Sequence, residues 1–245
     1  MVAGNRAPVV RDSNFFLPAA LVLLLLVMWG FGARFYWAFA TTTPHHNMLT
    51  DRGRFAQGLF LIHGLVFSAW MLLYVAQSGL VATRRIALHR RLGQATAVVA
   101  PAVVVLGIAT GIEGARVGFH NIGPIPTVAF GASSILIALN FGLLVWLGWA
   151  RRSVPAAHRR WMLLATMTLV GAAVARIGAI GAFFPVWFDA TALLLPALAL
   201  WDLATLRRVH PVTLWGGAIY LLVDIGAIPL ASSAPGMALI RMVTG

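Results

Sequence analysis

The chain has 245 residues, 60% of them hydrophobic and only 10% charged, with a formal net charge of +12. An ordinary soluble domain carries roughly a quarter charged residues, and a soluble protein of this size could not cover so much apolar surface with polar groups. Lipid is therefore the expected solvent of the outer face, and the positive charge is matched to anionic headgroups rather than to nucleic acid. All 18 basic residues are arginine and cysteine is absent. That excludes a retinal-type Schiff base, which needs a lysine amine, and it excludes disulfides and thiolate chemistry.

A membrane-spanning helix needs about 20 apolar residues, and seven stretches qualify: 15–35, 55–80, 92–112, 125–150, 161–184, 186–206 and 211–231. Stretches of this length, without an alternating polar pattern, exclude a β-barrel. The expected fold is all-α, a polytopic transmembrane bundle of about seven helices forming one integral domain over 1–245. Ala38-Phe39-Ala40 resembles a leader cleavage site. The apolar run before it exceeds a signal core of about 7–15 residues, so the first stretch reads as a retained helix.

Arginine placement predicts the orientation. With the N-terminus in the cytoplasm, the inner loops carry Arg84, Arg85, Arg90 and Arg91, then Arg151, Arg152, Arg159 and Arg160, then Arg207 and Arg208. The outer side carries Arg34, Arg52, Arg54, Arg116 and Arg241. An odd helix count then puts the C-terminus on the outer side. The hairpin that ends at His89-Arg90-Arg91 is echoed by the one that ends at His158-Arg159-Arg160, an echo that convergent composition of inner loops accounts for.

Ionisable groups at membrane depth face protein, water or a partner. On helix 2, His63, Trp70 and Gln77 recur at seven-residue steps and form one stripe. Arg176 follows His158 by 18 residues, five helical turns, and Asp224 follows His210 by 14 residues, close to four turns. Depth counting brings Arg176 and Asp224 to one level in the outer half of the membrane, near His63. An Arg176–Asp224 ion pair with His63 beside it is therefore expected. It either pins two helices together or lines a polar pocket for a proton, an anion or a quinone-like headgroup. Gly107-x-x-x-Gly111, Gly178-x-x-Gly181 and Gly216-Gly217 predict close helix approach. Pro101, Pro196 and Pro229 predict bends.

His89, His158 and His210 stand at inner helix starts, where the helix dipole and the flanking arginines favour neutral imidazole. Three readings stand side by side. The histidines are interfacial caps; or, with Arg84, Arg85, Arg90, Arg91, Arg151, Arg152, Arg159 and Arg160, they bind phosphate or lipid headgroups; or His89 and His158 hold haem iron. His45, His46 and Asp51 in the first outer loop form a solvated turn or a surface metal site.

The distribution of histidines over helices 2 to 5 resembles that of the transmembrane ascorbate-dependent ferrireductase family of b-type cytochromes, in which one haem lies between helices 2 and 4 and another between helices 3 and 5. That resemblance implies haem b held by His63, His89, His120 and His158 and electron transfer, with quinone as a potential exchange partner. A second resemblance spans nearly the whole chain. Trp29-Gly30-Phe31, His63-Gly64 with Trp70 and Gln77, Leu88-His89-Arg90-Arg91-Leu92-Gly93, His158-Arg159-Arg160-Trp161 and Arg208-Val209-His210-Pro211 resemble runs in uncharacterised proteobacterial inner-membrane proteins that share a domain of unknown function. It implies the inner membrane and no particular reaction. The alternative to a redox protein is a non-enzymatic carrier of small solutes or lipids, or an accessory subunit of a membrane complex. No glycine-rich phosphate loop, paired catalytic carboxylates or nucleophile elbow is present.

Overall fold

A computed structural model describes residues 8–37, 54–117, 127–178 and 190–244, and the account that follows is of these. They form helices α1 (Pro8–Phe31), α2 (Arg54–Ala82), α3 (Ile86–Gly93), α4 (Thr96–Val117), α5 (Thr127–Ala150), α6 (Pro155–Val174), α7 (Leu194–Leu206), α8 (Gly217–Ser232) and α9 (Ala234–Thr244). π-helical turns continue α1 over Gly32–Tyr36 and open α8 over Val212–Gly216, and a 3-10 turn, Ala190–Leu193, opens α7.

Five helices are long and apolar enough to cross a membrane: Asn14–Phe31, Phe55–Ala82, Thr96–Arg116, Val128–Ala150 and Val212–Ser232. The other two expected spans fall short for different reasons. The described part of the sixth, Ala190–Leu206, is a shorter apolar helix. The fifth does not run over 161–184: α6 begins earlier, at Pro155, and ends at Val174, ahead of Arg176. α6 carries His158, Arg159 and Arg160 in its first turns, and 13 of its 20 residues are buried. Its neighbours α1, α5 and α8 cover it, so it faces protein and needs less apolar surface.

The third expected stretch, 92–112, is observed shifted, starting at Thr96, with a short helix ahead of it. Residues 86–93 form α3, a separate short helix with no buried residue, and α4 begins only at Thr96. α9 was not foreseen; it follows the break at Ser233, whose hydroxyl accepts the Gly236 N–H at 3.3 Å.

α1, α2, α4, α5 and α6 form a closed ring, each packing on the next and α6 returning to α1, while α8 lies across α5 and α6. α4 and α5 touch through glycine: a Cβ on Gly131 would meet the Gly111 carbonyl oxygen at 2.5 Å, and one on Gly111 would meet the Gly131 oxygen at 2.8 Å. α1 crosses α6 equally closely at Gly30, where a Cβ would lie 2.2 Å from the Ala173 oxygen. The approach expected at Gly178 is not realised among the described residues, since nothing stands within 4 Å of a Cβ there.

The arginine-rich connections gather at one end of the bundle. The Arg159 guanidinium lies 5.1 Å from the Phe16 ring near the start of α1, the His89 and His158 rings meet, and Arg160 pairs with Asp202 of α7.

Candidate functional site

The ring of helices encloses a cavity of about 250 Å³ away from the arginine-rich end. His63, Arg176 and Asp224, three residues far apart in the chain, all line it. His63 stands on α2, nine residues after Arg54. Its Nδ1 lies 3.3 Å from Thr110 Oγ1 on α4, and that hydroxyl donates its single proton to the Leu106 carbonyl at 2.7 Å. His63 Nδ1–H is thus the donor to Thr110, which leaves the Nε2 lone pair as an acceptor. The imidazole packs against Phe67, centroids 3.9 Å apart.

Arg176 follows the C-terminus of α6, donates to the Ala172 carbonyl and places its guanidinium 4.9 Å from the Phe31 ring centroid. Asp224 is buried on α8 and accepts from Asn140 Nδ2 at 3.2 Å. The Asn140 carbonyl oxygen is enclosed without a hydrogen-bond partner. Tyr36, on the π-helical turn, donates to Ser68 Oγ at 2.7 Å, because Ser68 already donates to the Gly64 carbonyl. The Phe35 ring fills the space left by the missing side chain of Gly64. Aromatic faces together with a cation, a carboxylate and an acceptor imidazole suit a flat molecule with polar oxygens. Trp70 and Gln77 of the expected stripe stay off this cavity: Trp70 is buried in the core and donates to Thr166 Oγ1 at 3.3 Å.

At the arginine-rich end the expected headgroup cluster divides. Arg84, Arg85, Arg90, Arg91, Arg151 and Arg152 are exposed. Arg159 is half-buried over Phe16. Arg160 is withdrawn from the surface altogether: Arg160 and Asp202 are both 0% exposed, with Arg160 Nε 3.1 Å from Asp202 Oδ1 and Arg160 NH1 donating to the Ala156 carbonyl at 2.6 Å. The second Asp202 oxygen accepts the Thr213 hydroxyl at 2.5 Å and the His210 backbone N–H at 2.9 Å. Arg160 therefore joins three helices and is not placed to meet a headgroup. His210 acts as a cap, its Nδ1 accepting the Val212 N–H at 3.1 Å.

His89 and His158 come together, ring centroids 6.4 Å apart and planes at 78°. Both have pKa values below the ordinary histidine value, as does His210, with burial as the leading cause in all three. The direction agrees with the neutral imidazole expected at these positions, with burial ahead of the arginines at His89 and His210 and no arginine contributing at His158. His158 Nδ1 lies 2.8 Å from the Gly148 carbonyl, a contact only the protonated nitrogen can make. His120, and His45, His46 and Asp51, lie outside the described residues.

Sequence reasoning passed over Asp202. An acid inside an apolar stretch is itself a signal that a buried cation must answer it, and Arg160 does. Among the described residues no cluster of three or more histidine or acidic side chains is arranged as metal ligands. No protein-family model matches the chain, and no curated protein or solved structure matches it either.

Proposed function

We propose that this is a multi-pass protein of the bacterial inner membrane, with its N-terminus in the cytoplasm, that binds the flat headgroup of a lipophilic molecule of the quinone class inside the helix bundle. The observation that carries the reading is the convergence of His63, Arg176 and Asp224 on one aromatic-walled cavity. A quinone offers two carbonyl oxygens and, when reduced, two hydroxyl donors. Arg176 supplies a donor for a carbonyl oxygen, and His63 Nε2 and the Asp224 carboxylate supply acceptors for a hydroxyl. The cavity of about 250 Å³ falls just below the roughly 300–1,000 Å³ of drug-sized sites, so it suits a single ring with its tail leaving between helices. The arginine bias of the connections supports placing this cavity in the periplasmic half.

The test is titration of the detergent-solubilised protein with a short-chain ubiquinone analogue, followed by tryptophan fluorescence. Saturable binding, weakened at least about tenfold, or roughly 1.4 kcal/mol, in both His63→Ala and Arg176→Gln, is the expected result. Absence of saturation, or curves for both variants that match the wild type, would refute the reading.

A further inference from the structure

We infer that Phe35 sets which quinones the cavity admits: its ring closes the wall beside His63, restricts the site to monocyclic benzoquinones and keeps fused naphthoquinones out. The inference rests on the quinone reading above and assigns the residue that makes the choice.

This wall is built where α1 ends. Past Phe31 the helix widens into the π-helical turn Gly32–Tyr36, closed by the Trp37 N–H on the Gly32 carbonyl. Such a turn takes in one more residue than an α-helical turn, and these insertions are frequent at functional sites. Here it carries two consecutive aromatic residues, Phe35 and Tyr36, and both line the cavity. Their rings meet edge to face, centroids 5.2 Å apart and planes at 87°.

Both rings are anchored on one turn of α2. A Cβ on Gly64 would lie 2.2 Å from Phe35 Cζ and 2.4 Å from Cε2, so the far edge of the phenyl rests on the backbone next to His63. Tyr36 donates to Ser68 Oγ at 2.7 Å, and Ser68 donates to the Gly64 carbonyl at 2.7 Å. Gly64 and Ser68 are four residues apart and share a helix face. Phe35 is therefore held twice, by its own contact with Gly64 and by its neighbour's hydrogen bond one turn further on.

That position decides which shape fits. His63 Nε2 accepts from one oxygen of the bound headgroup, and the carbon bearing that oxygen has two ring neighbours. In a prenylated quinone one of them carries the tail and the other begins the opposite edge. With the tail leaving between helices the opposite edge is enclosed, and beside His63 the enclosing surface is the Phe35 phenyl. A benzoquinone presents only hydrogens on this edge, whereas a naphthoquinone carries its second ring there. The cavity of about 250 Å³ is already below the roughly 300–1,000 Å³ of drug-sized sites, and the second ring has no room while the phenyl is in place. Elsewhere the wall is helix against helix: a Cβ on Gly107 would stand 2.7 Å from that of Ala138. Packing of that density yields little. The phenyl is the part of the wall that can be removed, and the fused ring adds fewer carbons than its removal frees.

The test uses a matched pair of probes, a monoprenylated methylbenzoquinone and the monoprenylated methylnaphthoquinone, which differ by the fused ring alone. The chain has no cysteine or lysine side chain for either to alkylate. Each is titrated into the full-length, detergent-solubilised protein, with tryptophan fluorescence as the readout. A single methylene of mismatch in an apolar pocket changes discrimination about 10–200-fold, so the wild-type protein should prefer the benzoquinone by at least about tenfold. Phe35→Ala and Phe35→Leu should both gain affinity for the naphthoquinone, with the preference erased in Phe35→Ala and reduced in Phe35→Leu. A gain of affinity for the larger ligand is not an effect that misfolding produces. Equal binding of the two probes by the wild-type protein overturns the inference and leaves the quinone reading standing. Failure of both Phe35 variants to gain naphthoquinone affinity does the same. Failure of the wild-type protein to bind either probe overturns the two together.

Discussion

Asp202→Ala should destabilise this protein more than removal of any exposed arginine. Asp202 and Arg160 are both wholly buried, and Asp202 is the acceptor for the Arg160 guanidinium, the Thr213 hydroxyl and the His210 N–H. Truncation leaves the guanidinium with the Ala156 carbonyl and two further donors without an acceptor. Breaking a buried pair from one side costs about 3–5 kcal/mol, because a charge is left uncompensated. For a chain of this size each kcal/mol moves Tm by about 2–4 °C, so the expected fall is roughly 6–20 °C. The assay is thermal unfolding in detergent followed by far-UV circular dichroism. Asp202→Asn retains shape and acceptor but not charge and should fall between wild type and alanine. The double variant Arg160→Met/Asp202→Leu removes both charges and should recover most of the loss, since apolar replacement of a whole buried pair is often neutral or better. Asp202→Ala within 2 °C of wild type, roughly below 1 kcal/mol, would refute the reasoning, and so would a double variant as unstable as the two single losses added together.

Two further perturbations test the packing and the titration. Gly131→Ala places a methyl 2.5 Å from the Gly111 oxygen and 2.7 Å from Ala115 Cβ; it should cost about 1–3 kcal/mol by forcing α4 from α5, whereas Gly178→Ala, with nothing within 4 Å of its Cβ among the described residues, should stay within about 0.5 kcal/mol in the same melting assay. His89, His158 and His210 bind protons less readily in the fold than at the unfolded value of about 6.5. Below that pH the unfolded chain holds more protons than the folded one, so the stability these groups contribute is complete above about 6.5 and declines as pH falls through the lower folded values. Melting temperatures from pH 8 to pH 5 should therefore drop on the acid side, and His89→Gln/His158→Gln should flatten the drop; a wild-type Tm that holds or rises towards pH 5 contradicts it.

The five long spans were legible because a continuous apolar run is a property of local sequence. The close approach at Gly107 and Gly111 was legible for the same reason: a small residue at a four-residue step marks a helix face that can be approached, and Gly107 meets Ala138 while Gly111 meets Gly131. Counting depth along helices put His63, Arg176 and Asp224 at one level, and one cavity is lined by all three. What could not be read was decided by neighbours. Nothing in 155–174 announces that this helix is surrounded, so its low apolarity blurred its ends. Arg160 looked like its neighbours Arg151, Arg152 and Arg159, and only the arrival of α7 with Asp202 separates it from them. Gln77 looked like the end of a polar stripe, and its side-chain oxygen, enclosed without a hydrogen-bond partner, is visible only once α3 folds back over the end of α2.

The placement of α6 explains why polar function and membrane residence coexist in so apolar a chain. A helix in contact with lipid cannot carry two adjacent arginines and a histidine in its first turns without cost. α6 does so because α1, α5 and α8 cover it, so that each polar group meets protein: His158 meets Gly148, Arg160 meets Asp202, and Thr166 receives the Trp70 indole N–H. The same helix runs from the histidine pair at one end to the cavity wall at Thr168, Leu169 and Gly171. His158 and Thr168, the nearest cavity-lining residue of this helix, are 10 residues apart, about 15 Å at 1.5 Å per residue, beyond the roughly 7–10 Å over which substitutions usually interact. The histidine pair and the cavity therefore share a scaffold without sharing side chains, and any coupling between them has to pass through movement of α6 as a whole.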